Sequence, residues 1–305
     1  MTDAVTVAVL MPGDMGHAVG RALKAADHKV ITCLAGRSAH TKALAAKAGL
    51  ADVGQLAATV AEADLVLSIL PPAAALTLAR DVAAAMTKTG AFPVYVDCNA
   101  VSPETAREIG AAIAAAGAPF IDAGIIGSAP GPHSRPRFYV SGADTRPMQA
   151  LGDSLGDVGF EVVAIGSEPG RASALKMCYA GLTKGTFTLH TAVLLAAERL
   201  GLTDELRREF AFSQNAALTA MEARTPRLPA DSGRWIGEME EIARTFAEAG
   251  VTPAFHDGAA EIFRLLARTP FAAETRETID AARTARQTID TAARLLAPAK
   301  RAAKN

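Results

Sequence analysis

Short apolar segments alternate with alanine-rich helical segments along the first 166 residues. The stretches "VTVAVLM", "HKVITCLAG", "ADLVLSIL", "FPVYVDCN" and "APFIDAGIIG" read as strands. Between them, "HAVGRALKAAD", "SAHTKALAAKAG", "PPAAALTLARDVAAAM" and "SPETAREIGAAIAAAG" read as helices, with serine or proline at entry and glycine at exit. The strands are near-continuous apolar runs, as in strands covered on both faces. This order predicts an α/β fold built on a doubly wound parallel sheet. "RFYVSG" and "FEVVAIG" add two strands at one edge.

The pattern changes after Gly166. From Arg171 to about Lys300 nearly everything reads as helix, so the expected division is an α/β domain over 1–166 and an all-helical domain over 167–305. The first helix is about thirty residues long and carries an apolar stripe of Leu175, Leu182, Leu189, Ala192, Val193 and Leu200. A helix of that length is hard to bury in a small domain, so a homodimer through residues 171–200 is expected. Further helices are expected near 203–223, 232–249, 254–267 and 274–297, and the tail "APAKRAAKN" is expected to fray.

Composition narrows the function. The net charge of −1 argues against nucleic acid or an anionic membrane surface as partner. No apolar run reaches the length of a membrane span, and the N-terminus lacks the basic region of a secretory signal. Three widely spaced cysteines, Cys33, Cys98 and Cys178, suggest reduced thiols and a cytoplasmic location. Cys98 and Cys178 read as packing residues. No spacing of histidines or cysteines suggests a metal site.

The segment "VAVLMPGDMGHAVG" has the strand, turn and helix of a dinucleotide-binding motif with one glycine missing. Gly13 and Gly16 fill the places that approach the pyrophosphate and pack the helix on the strand, while Met11 stands where the turn glycine belongs. Pro12, Gly13, Asp14, Met15 and Gly16 are therefore the candidate phosphate-binding residues. No acid follows the second strand at the position that would read a ribose 2′-hydroxyl. Arg37 and Ser38 stand there instead, and a guanidinium beside a hydroxyl suits a 2′-phosphate. NADP(H) is favoured over NAD(H). Ser38 also suits a helix cap.

Four further segments carry a resemblance to one family. "SILPP", "VDCNAVSP", "FIDAGIIGSAPG" and "GRASALKMCYAG", with the opening "PGDMG", resemble the β-hydroxyacid dehydrogenases, the group of 3-hydroxyisobutyrate and 6-phosphogluconate dehydrogenase, to which imine reductases are related. The resemblance implies a Rossmann-type NADP-binding domain. It places Leu70, Pro71 and Asn99 beside the cofactor, Ile126, Gly127 and Ser128 in a substrate loop, and a catalytic lysine at Lys176. The departures fall on substrate recognition. Ile126 replaces the loop serine, Ala180 replaces an asparagine four residues after the lysine, and Tyr179 stands beside it. A lysine–aspartate pair of the C-terminal helices is missing, with Glu238 or a neighbour in the lysine's place.

A lysine can serve as general acid/base for a carbinol once burial or a neighbouring cation lowers its pKa. Ser173, Lys176, Ala180, Thr183 and Lys184 share one helix face by spacing, a mixture of polar heads and small residues that suits a pocket. Trp235 either lines that pocket or packs between helices. Arg135 and Arg137 either meet an anionic substrate or sit in a solvated loop. The expected activity is hydride transfer between a nicotinamide and a small β-hydroxyacid or related carbonyl compound. Two alternatives stay open: an imine reductase, and a non-catalytic NADPH sensor.

Overall fold

A computed structural model describes residues 4–275 and 278–296. The chain divides into two compact units, Met1–Cys178 and Tyr179–Asn305. In the first, β1 (Thr6–Leu10), α1 (Asp14–Ala25), β2 (Lys29–Thr32), α2 (Ala39–Ala48), β3 (Ala51–Asp52), α3 (Leu56–Glu62) and β4 (Leu65–Ser68) lead into α4 (Ala75–Thr89) and β5 (Val94–Asp97). There follow α5 (Pro103–Ala115), β6 (Phe120–Ile126), β7 (Arg137–Ser141), α6 (Arg146–Ser154), β8 (Glu161–Ala164) and the start of α7 (Arg171–Leu200).

The sheet has eight strands in the order β3-β2-β1-β4-β5-β6-β7-β8. All neighbours are parallel except β6 and β7, which run antiparallel. The doubly wound sheet expected from the alternation is present, and the two late strands do close one edge. Val7, Val9, Leu67, Val96 and Ile121 bury one face; Ala8, Leu10, Val66, Tyr95 and Ile31 bury the other. Helix signals behave as chemistry requires. Ser38 and Ser102 cap α2 and α5 by accepting from the Thr41 and Thr105 backbone N–H groups. The short elements β3, α3 and α6 have no counterpart in the sequence expectations; they span only two, seven and nine residues, too short for a period to stand out.

The helical unit holds the rest of α7, then α8 (Thr203–Ser213), α9 (Asn215–Arg224), α10 (Leu228–Glu248), α11 (Ala254–Ala267) and α12 (Ala285–Ala293). Two expectations are corrected. The helix expected over 203–223 is broken at Gln214, whose ψ of 48° ends α8. Among the described residues of the helix expected over 274–297, only α12 is an α-helix. Thr275 and Thr278 bond each other, Asp280 bonds the Ala282 N–H, and a capping box between Thr284 and Gln287 starts the helix afresh. The expected fraying of 297–305 falls outside the described residues.

The two compact units meet along the chain inside α7, between Cys178 and Tyr179. The first turns of α7, with Lys176, pack with the sheet.

Candidate active site

The strand register sets a row of residues across the sheet. Leu10, Ser68, Asp97, Asp122 and Ser141 are successive partners on five neighbouring strands. Four of the five are polar and all four are fully buried. In a parallel sheet the carboxyl ends of the strands are where ligands bind, and the row marks that edge.

At one end of the row, β1 runs into the turn of α1. Met11 has φ 61°, the left-handed conformation that glycine adopts readily and other residues rarely do. Met11 therefore makes the turn of the missing first glycine with its own backbone, and Gly13 N–H closes the turn on Met11 O at 2.7 Å. A Cβ on Gly16 would lie 3.3 Å from Met11 O and 3.4 Å from Val9 Cγ1, so close helix–strand packing uses that glycine. A Cβ on Gly13 would meet nothing nearer than 4.0 Å, which leaves the approach open. Gly13, the residue before α1, has no side chain with which to cap its first turn. The N–H groups of Asp14, Met15 and Gly16 thus start a helix as in a phosphate site, and the residues fit a dinucleotide. The Asp14 carboxylate lies 4.0 Å from His40.

Past β2, Ser38 is engaged as the α2 cap, while the Arg37 Nε is buried and without a hydrogen-bond partner. After β4, the Leu70 N–H donates to Asn99 Oδ1 at 2.7 Å, and Asn99 Nδ2 donates to Ser68 Oγ at 2.9 Å and to Asp97 Oδ1 at 2.5 Å. Asn99 is 2 % exposed. It therefore acts on the Leu70–Pro71 turn from below, by fixing its backbone. Burial, then the neighbouring Asp122 charge, push the Asp97 carboxyl up to about 7 against the pull of Asn99 and Ser68.

At the other end, Asp122 collects four donors. Ser141 Oγ lies at 3.0 Å and the Gly170 N–H at 2.8 Å, while Ser173 donates its N–H at 3.1 Å and its hydroxyl at 2.6 Å. The Ala172 N–H donates to Ser141 Oγ. Gly124, two residues along β6 on the same face, lies under α7: a Cβ there would be 2.7 Å from Ala172 O and 2.9 Å from Lys176 Cβ. Lys176 is half-buried in this setting.

The remaining expected site residues fall as follows. Ile126 ends β6 and is half-buried, and Gly127 and Ser128 are exposed in the loop after it. That loop is tied down, since Ser134 Oγ donates to Ser128 O and Arg21 donates to Pro130 O. Arg135 and Arg137 are engaged locally, with Gly156 O and Glu161. Tyr179 is exposed. Trp235 is buried in the helical unit, stacked near Phe187 and edge-on to Phe263, with Arg224 and Lys184 over its ring. These are the surroundings of a packing residue.

Two expectations need correction. The face shared by Ser173, Lys176, Ala180, Thr183 and Lys184 is largely packed: Ser173 is spent on Asp122, Ala180 is buried, and Lys184 is paired with Glu238 at 2.5 Å. Cys178 is exposed rather than packed, whereas Cys98 is buried. Among the described residues no cluster of histidine, cysteine and carboxylate side chains forms a metal site.

Residues 6–166 match the family model described as the NAD binding domain of 6-phosphogluconate dehydrogenase. The chain belongs to the β-hydroxyacid dehydrogenase family. Its first unit is an NAD(P)-binding domain, and the family is one of NAD(P)-dependent oxidoreductases. Residues 197–266 match a second model, a domain of unknown function, DUF1932. An uncharacterised 28.5 kDa protein of Methanothermus fervidus is 33 % identical over 180 residues, 58 % of this chain. That match spans 65 % of the relative's length, short of two thirds. A conserved protein of unknown function with structural similarity to 3-hydroxyacid dehydrogenases is 28 % identical, with a TM-score of 0.62 over 86 % of this chain and 96 % of its own. Mycobacterium tuberculosis 3-hydroxyisobutyrate dehydrogenase shares the fold at 22 % identity and a TM-score of 0.63, covering 95 % of this chain and 99 % of that one. Streptomyces aurantiacus imine reductase shares it at 20 % identity and a TM-score of 0.52, covering 90 % and 98 %.

Sequence reasoning missed Ser68, Asp97, Asp122, Ser141 and Gly124. A signal was present: "LVLS", "VYVD" and "RFYVS" each end an apolar run on a polar residue, and "FIDAGII" carries one inside.

Proposed function

We propose that this family member is an NADP(H)-dependent oxidoreductase acting on a small β-hydroxyacid or a related hydroxy or carbonyl compound, with Lys176 as general acid/base. The observation that carries the reading is the placement of Lys176 against Gly124, at the carboxyl edge of the sheet and on the strand next to the Asp97–Asn99 network. The nicotinamide, when bound, supplies or accepts the hydride at carbon. Lys176 holds the other half of the balance. In oxidation its neutral amine takes the hydroxyl proton as the C–H bond gives up hydride; in reduction its ammonium returns a proton to the carbonyl oxygen. Met15 and Gly16 with Asp14 offer the phosphate-facing N–H groups, and Asn99 holds the Leu70–Pro71 turn. Arg37, whose Nε has no hydrogen-bond partner among the described residues, supports a 2′-phosphate and hence NADP(H) over NAD(H). Ile126, Gly127, Ser128 and Tyr179 are the proposed substrate contacts, and Trp235 packs against Phe187 and Phe263.

The second reading, imine reduction on the same fold, is favoured by Ala180 in the place of the family's asparagine. NADPH consumption with a panel of semialdehydes against a panel of cyclic imines separates the two. Lys176→Ala is expected to lower kcat roughly 100- to 10,000-fold while NADPH affinity is kept. Full turnover by that variant refutes the lysine's role. Tight NADPH binding without turnover of either panel supports the sensor reading instead.

The proposal includes a homodimer through α7 and a cytoplasmic location. Leu175, Leu182 and Leu189 follow one another at seven-residue spacing and are all exposed, Leu182 to 73 %. An apolar stripe of that kind on one helix supports a second copy as its cover. Among the described residues no helix is long and apolar enough to cross a membrane.

A further inference from the structure

We propose that Asp122 is a positioning residue: with Ser141 and Ser173 it fixes the first turn of α7 on β6 and thereby sets where the Lys176 amine stands. The inference rests on the role proposed for Lys176.

The first turn of an α-helix leaves backbone N–H groups without partners, and its end carries partial positive charge. A side chain from the residue before the helix usually answers both. In α7 the residue before Arg171 is Gly170, which has no side chain to offer. Asp122, distant in sequence, does the work instead. One of its oxygens accepts from the Gly170 and Ser173 N–H groups and from Ser141 Oγ; the other accepts the Ser173 hydroxyl. Ser141 extends the grip by accepting from the Ala172 N–H. The carboxyl group, both hydroxyls and their residues are fully buried, so water cannot substitute for any of them. The contact is close because Gly124 lets the α7 backbone approach β6. Lys176 is three residues beyond Ser173, one helical turn further along the same face. The anchor and the amine are therefore joined by a single rigid turn, and the reference point for the amine is the sheet itself.

The arrangement also explains the choice of groups. A neutral amide at 122 has one acceptor oxygen and one donor nitrogen, and it faces four donors. Its nitrogen would face the Ser173 hydroxyl, which would have to turn from donor to acceptor, and the negative charge at the helix start would be lost. The turn that carries Lys176 would then loosen without loss of the sheet's apolar core.

The test reads the amine itself and needs no substrate. The folded protein is labelled with limiting acetic anhydride, and Lys176 is compared by mass spectrometry with exposed Lys88 of the same molecules. In Asp122→Asn and in Ser173→Ala, the Lys176/Lys88 ratio is expected to rise by about threefold or more as the turn opens locally. Ser173→Thr keeps the hydroxyl and is expected to hold the wild-type ratio. If the Asp122 variant does not fold, the two Ser173 variants decide. An unchanged ratio in a folded Asp122→Asn or Ser173→Ala protein overturns the proposal, as does a Ser173→Thr ratio equal to that of Ser173→Ala. Turnover by Lys176→Ala is measured separately. Its retention would remove the catalytic role of the lysine and leave the labelling result to report on the anchor alone.

Discussion

Asp97 and Asp122 are direct partners on adjacent parallel strands, and both are fully buried. Their charges oppose each other, yet their partners differ. Asp122 is surrounded by four donors, whereas one oxygen of Asp97 is buried with no hydrogen-bond partner. Burial raises both carboxyls above their ordinary range, and Asp97 reaches about 7. An unfolded aspartate titrates near about 4. Between these values the folded chain keeps a proton that the unfolded chain releases. Stability from this group is therefore present at low pH and lost as pH rises through about 7. The melting temperature of Asp97→Asn, relative to wild type, is expected to be higher at pH 8 than at pH 5. A difference independent of pH would refute the sign.

Met11 carries the left-handed backbone of the phosphate turn. A side chain in that conformation costs about 1–2 kcal/mol that glycine does not incur. Met11→Gly is expected to be more stable than Met11→Ala, a reversal of the order usual at ordinary backbone positions. Denaturant unfolding of the two variants gives the comparison; an alanine variant that is the more stable would remove the strain argument.

Arg37 decides cofactor choice in the proposed function. Arg37→Asp should raise the NADPH KM roughly 10- to 100-fold, as loss of charge-assisted hydrogen bonds implies. The NADH KM should change far less. Equal effects on both cofactors would mean that the guanidinium does not meet a 2′-phosphate.

Lys184 and Glu238 form a buried ion pair between α7 and α10, beside Trp235. Removing one partner leaves an uncompensated charge, so Glu238→Gln is expected to cost about 3–5 kcal/mol. Replacing both, Lys184→Met with Glu238→Leu, should recover most of that loss. Chemical denaturation of the single and double variants completes the cycle, and a double variant no better than the single one would contradict it.

Leu182 is the most exposed member of the α7 stripe. Leu182→Glu should shift a homodimer toward monomer in light scattering at micromolar concentration. A wild-type monomer under the same conditions would remove the proposed interface.

The sequence made the sheet legible because its strands are continuous apolar runs and its helices open on Ser38, Ser102 or proline. That Lys176 lies in the first turns of a long helix was legible from "GRASALKMCYAG". The row of buried polar residues was not, since register brings Ser68, Asp97, Asp122 and Ser141 together from strands far apart in the chain. Asn99 was expected at the cofactor and was found beneath the turn that would touch it, a difference that depends on three hydrogen bonds no local pattern encodes. The break at Gln214 and the loop before α12 were hidden by helix-favouring composition. Before α12, local threonine and aspartate bonds outweighed propensity. The role of Lys184 as an ion-pair partner required knowing which face of α10 meets α7.

Gly124 has no side chain, and so the lysine's helix lies directly on the main chain of β6, two residues from the Asp122 carboxyl that holds its first turn. Under the proposed function, the loop after Ile126 and the exposed Tyr179 are then exchangeable parts. The distance from sheet to amine is set by Gly124 and the Asp122 anchor, which such exchanges leave alone. A substitution at Gly124 is the opposite kind of change: it would displace the amine while leaving every polar group of the site in the sequence.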